Sequence, residues 1–88
     1  MSKIVDEAKY NGYRNRETWN VILWMMNEEP LYRSAVEVAE RHKSRNRTVT
    51  SRTAERFARD CFGDQTPDGC KMGRVNWRQV ADAIQECA

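Results

Sequence analysis

The side chains best placed for chemistry in this chain are arginines. Arg52, Arg56 and Arg59 stand at i, i+4 and i+7, which sets three guanidiniums on one face of a helix, and Arg45 and Arg47 lead into that stripe. A guanidinium stays charged in any protein and presents a planar fork of donors, so such a stripe grips phosphates or carboxylates and does not move protons. The formal charge of +2 conceals how concentrated this is. Residues 1–29 hold four basic and five acidic groups, residues 30–60 eight and four, and residues 61–88 three and four, so only the middle third is basic. That segment lacks interleaved aromatics for base stacking, while a polar turn ahead of an arginine-bearing helix is a faint helix-turn-helix signal. A solvated face, with arginines paired to Glu55 and Asp60, uses the same residues.

The remaining reactive groups form no constellation. Cys61, Cys70 and Cys87 are odd in number, with spacings of nine and seventeen that match neither a disulfide framework nor a close metal-binding pair. A Cys3His zinc site would need all three to converge on His42, which nothing in the spacing suggests. Cys61 falls on an apolar helical face and Cys87 near the chain's last residue, so they read as reduced thiols, and His42 as a last-turn residue suited to a helix's carbonyl end. Carboxylates are scattered, no glycine-rich phosphate loop is present, and Thr48, Thr50 and Ser51 lie where a helix cap is needed. The expectation is a binding protein and not an enzyme, with no metal and no cofactor.

The elements that position these residues are helical. At 88 residues, about 60–65% of the unfolded chain's surface can be buried, enough for one core but not for an enclosed cleft as well. Residues 1–14 read as an N-terminal arm ending in a turn at Gly12. Asn15 then caps a helix carrying Trp19, Ile22, Leu23 and Met26 at the spacing of one face, with Val21, Trp24 and Met25 on its flank. Pro30 opens a second helix to about Lys43, with Asn27 to Glu29 as the corner. Thr48, Thr50 or Ser51 caps a third, whose apolar face is Ala54, Phe57, Ala58, Cys61 and Phe62 and whose stop is Gly63. Residues 63–74 form a polar loop with turn chemistry, expected to be mobile or to meet a partner. Asn76 caps the last helix, with Gln79 completing a capping box and Val75 stapling onto Val80. The pattern predicts one all-α domain over 1–88, a compact bundle of about four helices with the tryptophans near its centre and Trp19, Trp77 and Phe57 as anchors. No run is long and apolar enough for a membrane span or a signal segment, which points to the cytosol.

Residues 15–32, Asn-Arg-Glu-Thr-Trp-Asn-Val-Ile-Leu-Trp-Met-Met-Asn-Glu-Glu-Pro-Leu-Tyr, resemble a family of small, mostly phage-encoded proteins. Its hallmark is Asn-x-Glu-Thr-Trp-Asn-Val-x-Leu-Trp followed by Asn-Asp-Glu-x-Leu-Tyr; Glu28 and Pro30 depart from it. Val75 to Ala81 resembles the family's closing helix, and the basic middle is not covered. The resemblance implies a phage or prophage setting, in the cytoplasm of a bacterial host. There it suggests an anti-CRISPR-like inhibitor that occupies the surface of a nucleic-acid-handling defence effector. The alternative is a nucleic-acid-binding phage regulator that uses the basic helix around residues 45–59.

Overall fold

Asn15 opens the first helix by turning its side chain back on the chain. With φ near −155° it is extended, and its Oδ1 accepts from the Thr18 backbone N–H at 2.9 Å and from the Thr18 hydroxyl at 2.6 Å. The computed structural model describes residues 12–88, and so the expected arm up to residue 11 lies outside the described residues. Four helices follow: α1 Arg16–Asn27, α2 Glu29–Ser44, α3 Ser51–Phe62 and α4 Trp77–Gln85, with a single 3-10 turn at Met72–Arg74. The chain is all-α, as its periodicity indicates. Among the described residues no helix is long and apolar enough to cross a membrane.

The two helix starts that carry asparagine caps are tied to each other. Asn76 caps α4 by accepting from Gln79 N–H at 3.2 Å. In a capping box the third helical residue would reach back to its own cap's N–H. Here the two helices exchange that service. Thr18 Oγ1 accepts from the backbone N–H of Asn76 at 2.8 Å, and Gln79 Oε1 accepts from the backbone N–H of Arg14 at 2.8 Å. Asn15 Nδ2 adds a bond to the Arg74 carbonyl at 2.8 Å. Gln79 thus stands where the sequence puts it but serves the other helix.

This lock fixes which face of α1 is inside. The buried residues are Thr18, Asn20, Val21, Ile22 and Met25, so the core face runs through 18, 21, 22 and 25, about one residue behind the Trp19–Met26 face expected from apolar spacing. Trp19, Trp24 and Trp77 are only half-buried, and the tryptophan-centred core is therefore a misreading. Phe57 and Trp77 pack on the edge of the core; Trp19 is not part of it. The core is built from small and aliphatic side chains, six of them alanines: Ala35, Ala39, Ala54, Ala58, Ala81 and Ala83. Alanine lets helix backbones approach closely, and α4 packs against all three other helices, most extensively α3. Cys61 is exposed, outside the apolar face expected for it.

Two connections are bolted to this frame. Before α3, capped by Thr50, the buried Val49 donates its N–H to Gln85 Oε1 at 2.6 Å, and its carbonyl accepts from Arg78 Nη2 at 3.0 Å. After α3, Gly63 at φ +80° ends the helix, with its N–H on the Arg59 carbonyl. The segment 63–74, expected to be mobile or to meet a partner, forms a closed hairpin. Thr66 and Cys70 are buried and bonded to each other in both directions, and Gly69 takes φ +85° at the turn. Its tip is latched to α1: Asp68 Oδ2 accepts from Asn20 Nδ2 at 2.8 Å and from the Trp24 indole N–H at 3.0 Å. These two donors, assisted by the charge of Arg16, hold the Asp68 carboxyl below its ordinary value.

Two outcomes follow. Thr18→Val keeps the shape but leaves the Asn76 N–H and the Asn15 cap without their hydroxyl partner. It is expected to cost about 1–3 kcal/mol, a fall in melting temperature of at least about 4 °C for a domain of this size. An unchanged melting curve would show that the exchanged caps do not hold the bundle. For the latch, a depressed carboxylate pKa means the bond is complete above the ordinary aspartate range and is lost only as pH falls below it. The Trp24 indole N–H resonance should shift with a midpoint below the usual aspartate value, and Asp68→Asn should abolish that titration.

Candidate functional site

The exposed side of α3 follows directly from its buried side. Ala54 and Ala58 face the core, which turns Arg52 and Arg56, one turn apart, to solvent. Neither makes an ion pair or side-chain hydrogen bond among the described residues. Arg59 differs. It is half-buried, its Nε donates to Glu55 Oε2 at 2.9 Å, and its Nη1 reaches Asp64 Oδ1 at 3.4 Å. The three arginines line one shallow groove of about 400 Å³ together with Glu55 and Asp60. Their i, i+4, i+7 spacing does bring them together, but one of the three is already engaged.

Arg45 and Arg47 lie elsewhere. They follow the end of α2 and line a separate notch of about 40 Å³ with Arg41 and His42. The five arginines read as one face therefore divide between a mixed-charge groove and a notch lined only by basic residues. Arg41 and His42 lie outside the arginine face expected from spacing, although the run Arg41-His42-Lys43-Ser44-Arg45-Asn46-Arg47 carries the signal.

A second, apolar groove of about 240 Å³ runs between Tyr13, Ile22, Met26, Tyr32, Ala83 and Cys87, with Glu86 at its rim. Tyr32 is 41% exposed. The thiols beside these surfaces are poor nucleophiles. Partial burial and the charge of Asp60 push the Cys61 thiol up, and partial burial with Glu86 does the same for Cys87, so both are held further from the reactive thiolate. In the α3 groove Glu55 is tied to Arg59, and Asp60 is the second carboxylate of the lining.

Fold and surface together define a small all-α domain with open grooves, charged and apolar, among its described residues. Its place among known proteins is narrower: residues 6–87 match the model of a family of unknown function, DUF7249, and the chain belongs to that family. Comparison with curated proteins and with solved structures finds no significant match.

Because Arg52 and Arg56 touch no protein acceptor, reversing both charges should leave the melting temperature within a few degrees, about 0.5 kcal/mol per site. Circular dichroism on Arg52→Glu/Arg56→Glu checks this. A large loss would mean that the pair serves the fold.

Proposed function

We propose that the protein is a non-catalytic binding protein whose arginine surface engages the phosphate backbone of nucleic acid, acting in the cytoplasm of a bacterial host. The observation that carries this reading is the pair Arg52 and Arg56, exposed on α3 with no partner among the described residues. The clamped base of α3 supports it: Val49 is bonded to α4, so the helix backbone that carries both guanidiniums is held in place and only their side chains are left to order when they meet phosphates. Charge also orders the alternatives. An effector that handles nucleic acid presents a basic channel, and a basic face is repelled by it, whereas phosphates attract it.

A protein-docking reading, the anti-CRISPR-like inhibitor of a host defence effector, is favoured by a different observation. Trp19, Leu23 and Leu31 of the 15–32 motif are only half-buried and Tyr32 is exposed, so core packing does not account for them. Such an inhibitor would dock through this side of α1 and α2, not through α3.

Titration with duplex and single-stranded DNA at two salt concentrations separates the two. If about four phosphates are neutralised, affinity should fall about a hundredfold between about 50 and about 200 mM salt, and Arg52→Glu/Arg56→Glu should abolish binding while keeping its helix content. The inhibitor reading expects no such salt dependence. It expects instead inhibition of a purified CRISPR effector that is relieved by Tyr32→Asp and unaffected by the arginine reversals.

A further inference from the structure

The end of α2 carries more positive charge than a helix end requires. Cations in the last turn are favoured by the helix dipole, and this accounts for Arg41, His42 and Lys43. It does not account for Arg45 and Arg47, which lie past the last helical residue. They are brought back by the backbone. Asn46 adopts φ +56°, a left-handed conformation that asparagine tolerates better than most residues, and the turn folds onto the helix end. Arg45 N–H and Arg47 N–H both donate to the His42 carbonyl, at 3.1 and 2.9 Å, and Asn46 N–H donates to the Lys43 carbonyl at 3.0 Å. The carbonyl oxygens that would repel an anion at this end are thereby engaged.

The side chains converge over that turn. Arg41, His42, Arg45 and Arg47 line the notch of about 40 Å³, with no carboxylate in its lining. None of the three guanidiniums has an ion pair among the described residues. His42 Nδ1 lies 2.9 Å from the Val38 carbonyl, an acceptor, so Nδ1 carries the proton and Nε2 is the ring's free nitrogen. Three like charges in one small concavity repel each other, and the arrangement becomes favourable when an anion sits among them.

We propose that this notch is a binding site for a phosphate dianion, inorganic phosphate or a phosphate monoester, held by Arg41, Arg45 and Arg47 with His42 alongside. Guanidinium forks bind phosphate oxygens in pairs, and three forks match the three terminal oxygens of a monoester. A diester fits less well. It offers two free oxygens and one charge to three guanidinium forks, and its two ester substituents would have to leave a notch walled by those side chains. The site shares no residue with the α3 groove and stands independently of the backbone-binding function proposed for it.

The test titrates the full chain with inorganic phosphate, ionic strength being held constant with chloride, while NMR follows the His42 ring and the arginine Nε–H signals. Saturating shifts at His42, Arg45 and Arg47 are expected. Methyl phosphate should reproduce them if a monoester is taken, and inorganic phosphate alone should produce them if the site takes only the free ion; dimethyl phosphate should fail in either case. Arg45→Gln/Arg47→Gln, both exposed positions, should weaken binding at least about tenfold with an unchanged melting temperature. Arg52→Glu/Arg56→Glu should bind phosphate as the native chain does. Shifts that rise linearly without saturating, equal binding of dimethyl phosphate, or full affinity in the Arg45/Arg47 variant would each overturn the assignment.

Discussion

A helix start leaves backbone N–H groups without acceptors, and burying two such starts side by side is tolerable only if the acceptors come from somewhere. In this bundle each start supplies what the other lacks, through Thr18 to Asn76 and Gln79 to Arg14. The consequence reaches well beyond the caps. With its N-terminus held against that of α1, α4 becomes the element on which every other helix packs. Arg78 and Gln85 on α4 then seize Val49 at the foot of α3, so the orientation of the basic helix is linked to a hydrogen-bond exchange between residues 14–18 and 76–79.

The same polar interactions explain what could and could not be read from the residues in order. Asn15, Gly63 and Asn76 were legible because capping and helix termination are local chemistry, decided within about four residues. The inward face of α1 was not. Thr18 and Asn20 are buried to satisfy partners 48 to 58 residues away, and a periodicity of apolar types cannot register a buried polar residue. The Asp68 latch was hidden for the same reason: Thr66 to Gly69 has the composition of a free turn, and only the distant Asn20 and Trp24 make it a fixed one. On the surface, the helical repeat within α3 gathers Arg52, Arg56 and Arg59 as the spacing requires. It has no force across the turn at Asn46, where Arg45 and Arg47 turn back toward Arg41 and His42.

Among the described residues one buried side-chain polar atom has no partner: Asn20 Oδ1 meets no donor, while its amide nitrogen holds Asp68. Leaving an acceptor unpaired opposes burial, so the Asn20 side chain is retained against a local cost for the sake of the latch it makes. Trp24, the second donor to the same carboxylate oxygen, shares that task and is drawn to the loop side of α1 and away from the core. Two residues of the 15–32 motif, Asn20 and Trp24, thus latch the tip of the 63–74 hairpin to α1.

A core built so heavily of alanine places its helices close together and leaves its cavities at the surface. The binding function proposed here rests on which surface charges the fold leaves uncompensated. Four acidic groups are committed to local pairs: Glu29 with Arg33, Glu55 and Asp64 with Arg59, Asp82 with Arg78, while Asp60 in the α3 groove pairs with no cation among the described residues. Such exposed pairs add little stability, but they neutralise the arginines they hold. Arg52 and Arg56, and the cluster at the end of α2, are among the basic groups without an ion pair in the described residues. Their positive charge reflects the basic excess of residues 30–60 within a composition that is nearly balanced overall. An anion approaching this molecule meets a localised attraction, mounted on the helices that the exchanged caps hold in place.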